Sequence, residues 1–144
     1  MHHPRGIFAP IIALTVMLLV AATWAVHPAA AQRANCNEPR SQAEMTVCAG
    51  KDLEKADREL NRVYKLVRAA MVKNDAGAEP PLQKKGFKKA LIQAQRAWIT
   101  YRDRHCEIIG LEWYGGSGQS AAVSICLAAM TRARTAQLKN FLTR

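Results

Sequence analysis

Residues 91–106, LIQAQRAWITYRDRHC, decide the fold of this chain. They are predicted to form one amphipathic helix, because five of them recur at steps of three and four and therefore share one helix face. These five are Leu91, Gln95, Trp98, Arg102 and Cys106. The face combines apolar side chains with a glutamine and an arginine. We therefore expect it either to pack a core around a polar network or to present a binding surface.

The segments on both sides are also predicted to be helical, and no strand-like alternation occurs in the sequence. A capping box, Ser41 with Glu44, starts a short helix that is expected to end at Gly50. Ser120 is expected to cap the last helix. Turn-forming residues fill the loops at 74–81 and 114–120. The predicted helices cover residues 42–49, 52–73, 82–113 and 121–142.

The N-terminal 31 residues have the features of a secretory signal peptide. Arg5 supplies a positive region, residues 7–26 carry no charge, and the alanines at 29–31 form an A-x-A site with cleavage expected before Gln32. The alternative is an uncleaved membrane anchor, since the apolar run is long enough to span a bilayer. The cleavage site directly after the run favours removal.

The mature chain, residues 32–144, is therefore expected to be one small periplasmic or secreted domain without a membrane span. The whole chain has a net charge of +10, and the leader contributes only Arg5 to it, so the mature domain keeps a charge near +9. A lipid anchor at Cys36 is disfavoured, because Arg33 and Asn35 fit poorly the small apolar run that precedes a lipidated cysteine.

All four cysteines fall in the mature domain, and an even number in a small exported domain indicates disulfides. We favour Cys36–Cys48 and Cys106–Cys126, because each closes a short loop between neighbouring helical segments, worth about 3 kcal/mol. A zinc site is disfavoured, since the sequence has no C-x-x-C pair and His105 is the only mature histidine. The predicted fold is a small all-α antiparallel bundle of one short and three longer helices, stapled by two disulfides.

Four sequence patterns in a fixed order, with the four cysteines, point to a family. The patterns are EMTVC at 44–48; Asp57, Leu60, Asn61 and Tyr64; Gln95, Trp98, Tyr101, Arg102, Asp103 and Cys106; and Cys126, Thr131, Arg134 and Leu138. Over residues 36–142 the chain resembles the LprI-like (lysozyme inhibitor LprI N-terminal type) domain family. The resemblance implies a helical, disulfide-bonded domain of the bacterial cell envelope and, for one branch, inhibition of lysozyme. This chain departs from the named member type in having no lipidation box.

The polar residues of these patterns have two interpretations. They form either a shared binding site between helices or a structural network, in which Asp57 or Asp103 pairs with Arg102 or Arg134. The structural interpretation is favoured, because a buried arginine requires partners. Trp98 is expected to pack rather than to bind a ligand. The site candidates are Asp57, Asn61, Gln95, Trp98, Arg102, Asp103 and Arg134.

Catalysis is disfavoured by the sequence. It contains no paired nucleophile and base, and no G-x-S-x-G motif. His105 stands alone, and Glu107 with Glu112 lacks any context for a muramidase pair. No cofactor or metal is expected.

Two binding functions remain. The first, which follows from the resemblance, is inhibition of lysozyme-type muramidases by insertion of loop 74–81 or 114–120. Because common animal lysozymes are also cationic, an acidic patch, expected around Asp75 and Glu79, would have to offset the repulsion.

The second is binding of anionic envelope polymers by a basic patch, although such a surface also serves solubility alone. Export disfavours nucleic acid as the partner. The patch consists of Lys84, Lys85, Lys88 and Lys89, which are expected to act together with Lys65, Arg68 and Lys73.

Overall fold

The computed structural model describes residues 34–81 and 86–143, and these residues form helices and turns with no strand. The all-α prediction is confirmed. Three helices follow one another along the chain: α1 (Gln42–Gly77), α2 (Phe87–Glu112) and α3 (Gln119–Lys139). The predicted signal peptide, and Lys84 and Lys85 of the predicted basic patch, lie outside the described residues.

The start of α1 follows the predicted capping box. The backbone N–H of Glu44 donates to Ser41 Oγ at 3.1 Å. The Glu44 carboxylate in turn accepts from the backbone N–H of Arg40 at 2.6 Å, one residue further back than in the usual box. Both bonds satisfy amides that the first helical turn cannot pair internally, so the helix begins where the sequence indicates.

The prediction of a separate short helix ending at Gly50 is wrong, because α1 runs through Gly50 as one helix of 36 residues. A glycine inside a helix costs about 1 kcal/mol relative to alanine. Ala49 and Ala56 on either side are buried, and this packing outweighs that cost. The bundle therefore has three helices in its described part rather than one short and three longer ones.

The other predicted helix ends also shift. Residues 74–77 of the predicted loop belong to α1. The last helix starts after Gly118 without a side-chain cap, so Ser120 lies inside it. At the start of α2, the Asp75 carboxylate accepts hydrogen bonds from the backbone N–H groups of Phe87 and Lys88, and this side chain from α1 caps the second helix.

One apolar core joins the three helices. It holds four residues of α1 and one each of α2 and α3, with two half-buried aromatic rings packed against it. Fully burying a side chain of this size stabilises the fold by about 1.5–3 kcal/mol. The core residues are Leu60, Val63, Val67, Met71, Leu91 and Leu138, and the rings are Tyr64 and Trp98.

Both predicted disulfides are confirmed. Cys36 and Cys48 are joined with an S–S distance of 2.01 Å, and Cys106 and Cys126 with 2.04 Å. The first ties the N-terminal arm to the first turns of α1, and the second ties the end of α2 to the start of α3. No helix of the described ranges is long and apolar enough to cross a membrane.

Candidate functional site

Arg102 is the centre of a polar network between the three helices. Its Nη1 donates to Asp57 Oδ1 on α1 at 3.2 Å and to Thr131 Oγ1 on α3 at 3.0 Å. Its Nε donates to Asp103 Oδ1 at 2.9 Å. The Arg102 side chain is only 15% exposed, and its charge is met by two carboxylates. These contacts tie the three helices together at one level of the bundle.

Arg134 of α3 and Trp98 of α2 extend this network along the bundle. Arg134 Nε donates to Gln95 Oε1 at 3.0 Å. The Trp98 ring lies beneath both guanidinium groups, 5.2 Å from Arg102 and 5.9 Å from Arg134, in cation–π contact. Burial lowers the pKa of Arg134, although an arginine stays protonated in proteins. Trp98, Gln95 and Arg134 therefore have partners inside the bundle.

A groove of about 540 Å³ runs between α1 and α2 beside this network, and we call it the α1–α2 groove. Its walls carry three arginines and one aspartate, together with amide, aromatic and aliphatic side chains. Within the described residues, the Asn61 side chain has no hydrogen-bond partner. The lining residues are Asp57, Leu60, Asn61, Tyr64, Arg68, Ile92, Gln95, Arg96, Ile99 and Arg102.

The opposite end of α2 carries a second concave surface. We call it the loop end: the turn at residues 113–118 and the groove of about 600 Å³ beside it, between α2 and α3. The Cys106–Cys126 disulfide joins the two helices of this groove, and its cysteines are sequence neighbours of the lining residues Glu107 and Leu127. Its lining residues are Asp103, Arg104, Glu107, Gly110, Leu111, Tyr114, Gln119, Val123 and Leu127.

The turn of the loop end is fixed by its own backbone. Three backbone hydrogen bonds fold it, including Gly116 N–H to the Trp113 carbonyl at 3.0 Å. Gly115 has φ of 75°, a conformation that favours glycine. The Trp113 ring lies so close to Gly118 that a Cβ there would stand 3.1 Å from it. Tyr114 is left 81% exposed on a well-defined turn.

The loop end carries three carboxylates, two of which are paired with arginines. Its groove is lined by Asp103, which pairs with Arg102, and by Glu107, which pairs with Arg104. Arg104 Nη1 pairs with Glu107 Oε2 at 2.7 Å, and this pair raises the pKa of Arg104. Glu112, at the end of α2, is exposed and adds a carboxylate that pairs with no cation in the described part of the chain.

Of the four clustered lysines of the predicted basic patch, only two lie among the described residues. Lys88 and Lys89 line a shallow depression with Asp75, Gly86 and Arg96, next to the α1–α2 groove. Asp75, which was expected to supply an acidic patch on a loop, caps α2 from inside α1 instead. The prediction of a free insertion loop at 74–81 is therefore wrong for residues 74–77, which belong to α1.

Some residues of these surfaces were assigned elsewhere or missed from the sequence. Arg68 was named with the basic patch but lines the α1–α2 groove, where it continues the stripe of Asp57, Asn61 and Tyr64 by one step of four. Arg96 lies next to Gln95, on a neighbouring face of α2, and helical spacing from Ile92 would have found it. Nothing local marks Gly110 and Val123, which come together only when α2 packs on α3.

The fold and these surfaces define a class: a small disulfide-bonded helical protein with two concave surfaces suited to binding. The family model of the lysozyme inhibitor LprI matches residues 33–138, and this chain belongs to that family. The chain is 45% identical over 118 residues to the uncharacterized protein R02472 of Rhizobium meliloti (strain 1021), covering 80% of this chain and 85% of that protein. No solved structure matches the chain.

Proposed function

We propose that this protein is exported and inhibits lysozyme-type muramidases by binding them through its loop end. The family's described activity is inhibition of lysozyme, which motivates the choice of target. The observation that carries the proposal is the exposed ring of Tyr114 on a turn held between two disulfide-linked helices. Tyrosine on a rigid support is a frequent energetic centre of protein interfaces, because little conformational entropy is lost when it is buried.

The rigidity of the loop end supports insertion into an enzyme cleft. A turn that is already ordered does not lose further freedom on binding, so more of the contact energy appears as affinity. Around Tyr114 lie further exposed apolar side chains, Leu111 at 63% and Trp113 at 55%. Together they form an apolar centre, as the buried middle of a protein interface requires.

The loop end lies away from the lysines at the start of α2. A cationic target meets there the carboxylate of Glu112, which has no cation partner among the described residues, while Asp103 and Glu107 are paired with Arg102 and Arg104. Complementary charge speeds encounter and fixes orientation, while the distant cations are screened beyond about 8 Å at physiological salt. A cationic lysozyme that docks at the loop end therefore meets less repulsion than one that docks at the start of α2, where Lys88, Lys89 and Arg96 lie.

The test is a cell-wall lysis assay with the mature, oxidised protein and lysozymes of several types, at low and at physiological salt. We expect a dose-dependent loss of activity that persists at physiological salt. If no enzyme is inhibited, the proposal fails and the family name describes only the fold.

A pair of tyrosine variants locates the contact. Tyr114→Ala is expected to weaken inhibition by at least about 30-fold, the effect of losing a central tyrosine of an interface. Tyr101→Ala is the control, because Tyr101 is also exposed, at 60%, but does not line the loop-end groove. Equal effects of the two variants would place the contact elsewhere.

A further inference from the structure

We propose that the α1–α2 groove is a second binding site, which takes a sugar bearing a carboxylate or phosphate group. The groove lies on a different face of α2 from the loop end, and the two sets of lining residues share no member. The inference therefore stands whether or not the protein inhibits a lysozyme.

Two arginines supply the charge for an anionic ligand. Arg68 projects from α1 and Arg96 from α2, so they line the groove from both sides. Neither guanidinium has a hydrogen bond or ion pair with any residue of the ranges 34–81 and 86–143. Guanidinium groups recognise carboxylate and phosphate through paired N–H donors. Their N–H donors therefore line the groove without an acceptor in the part of the chain that the structure describes.

The acidic residue of the groove does not cancel this charge. Asp57 is paired with Arg102, and the lining residues of the groove carry three guanidinium groups against this one carboxylate. Arg68 and Arg96 remain as the excess charge. An anion that enters between them gains two charge-assisted contacts and meets no unpaired carboxylate among the lining residues.

The uncharged residues of the groove fit a sugar better than a bare ion. The Asn61 amide is exposed and has no partner within the described residues, so it can donate to and accept from hydroxyl groups. Tyr64, Ile92 and Ile99 add aromatic and aliphatic surface for the apolar face of a sugar ring. The groove volume of about 540 Å³ falls within the range of small-molecule sites, about 300–1,000 Å³.

The cationic surface continues beyond the groove. The adjoining depression shares Ile92 and Arg96 with it and adds Lys88 and Lys89. Its single carboxylate, Asp75, is occupied by the backbone N–H groups at the start of α2. A second anionic group on a longer ligand would therefore find further cations along α2.

The experiment is an NMR titration of the mature, oxidised, ¹⁵N-labelled protein with three probes. N-acetylmuramic acid carries a carboxylate, N-acetylglucosamine 1-phosphate carries a phosphate, and N-acetylglucosamine is the neutral counterpart. We expect at least one acidic sugar to shift the amides around Asn61 and Arg96, to bind at least about tenfold more tightly than the neutral sugar, and to weaken with salt. Comparison of the two acids shows which anion the groove takes.

Arginine variants test the two contacts. Arg68→Gln and Arg96→Gln are each expected to weaken binding of the acidic sugar by about tenfold or more, with an unchanged melting temperature. Arg58→Gln is the matched control, because Arg58 is an exposed arginine of α1 outside the groove. Equal binding of neutral and acidic sugars, shifts at the loop end alone, or wild-type affinity in both groove variants would overturn the proposal.

Discussion

The loop end and the α1–α2 groove use opposite ends of the same helix and differ in charge and in support. The loop end has exposed aromatic rings, lies between two helices joined by a disulfide, and carries two carboxylates that are paired with arginines. The α1–α2 groove lies between helices that no disulfide of the described residues joins, and its Arg68 and Arg96 have no partner in the ranges 34–81 and 86–143. The two proposed binding surfaces thus differ in the charged groups that they offer along α2.

Arg102 and Asp103 mark the boundary between the two regions. Arg102 lines the α1–α2 groove, and its neighbour Asp103 lines the loop-end groove. Their side chains bond to each other at 2.9 Å. The two surfaces are thus chemically separate but meet at one ion pair, and variants on either side of it should affect them differently.

The largest expected effect comes from removing the Cys106–Cys126 disulfide, which joins the two helices of the loop end. Replacing Cys106 and Cys126 together by serine should lower the free energy of unfolding by about 3 kcal/mol. It should also abolish inhibition, because the turn loses its anchor, while sugar binding in the groove persists. Chemical denaturation and the two binding assays measure this, at a temperature where the variant is folded.

The second disulfide provides the comparison. Cys36→Ser with Cys48→Ser should cost a similar free energy, since its loop is only somewhat shorter, but should leave the loop-end groove intact. If both double variants lose inhibition equally, the loop end depends on global stability rather than on its local disulfide.

Arg102→Ala should have the next largest effect and should disturb both regions. It leaves Asp57 and the buried hydroxyl of Thr131 without their donor and removes the stacking on Trp98, so we expect a loss of about 2 kcal/mol in stability. Arg102→Lys keeps the charge but not the forked geometry and should recover only part of it. Wild-type stability of Arg102→Ala together with lost binding would instead make Arg102 a ligand-binding residue.

Two glycine variants compare a tightly packed position of the loop end with an open position on α1. A Cβ at Gly110 would stand 2.9 Å from Val123 Cγ2, and valine is stiff, so Gly110→Ala should destabilise the protein by about 1 kcal/mol. Gly50 has nothing within 4 Å of its would-be Cβ, so Gly50→Ala should stabilise the protein by about 0.5–1 kcal/mol. Thermal melts measure both changes. If the melting temperatures of the two variants shift in the same direction, this packing is contradicted.

The smallest effect is expected at Glu59, which lies outside both regions. Hydrogen bonds from Arg62, and then from Lys139 of α3, lower the pKa of Glu59 from 4.5 to about 2. Because the pKa is lowered in the folded state, this contribution to stability is present above pH 4.5 and is lost as the pH falls toward 2.

Glu59→Gln should therefore flatten the acid side of the stability profile slightly and leave both binding activities unchanged. The effect is small because the group is exposed and solvent screens it. Melting temperatures measured between pH 2 and 5 for the two proteins would contradict the assignment if their acid slopes were identical.

Much of the fold could be predicted from the sequence, because helices and short disulfide loops are set by local patterns. The residue pattern of 91–106 predicted a helix, and the spacing of the cysteines predicted both disulfides. Gly50 shows the limit of such patterns: a C-capping glycine and a helix-interior glycine have the same sequence signal. Only the packing of Ala49 and Ala56 decides between them, and that depends on residues far away in the chain.

The candidate site was predictable as a set of residues but not as an arrangement. The residue patterns predict an all-helical, cationic, disulfide-bonded chain and a set of polar candidates that includes Asp57 and Arg102. Only the packing of the helices shows that Arg102 pairs with Asp57, and that Arg68 and Arg96, which were not among these candidates, have no partner in the ranges 34–81 and 86–143. The physical reason is that periodicity fixes the face on which a side chain lies, while its partner is fixed by how three helices pack together.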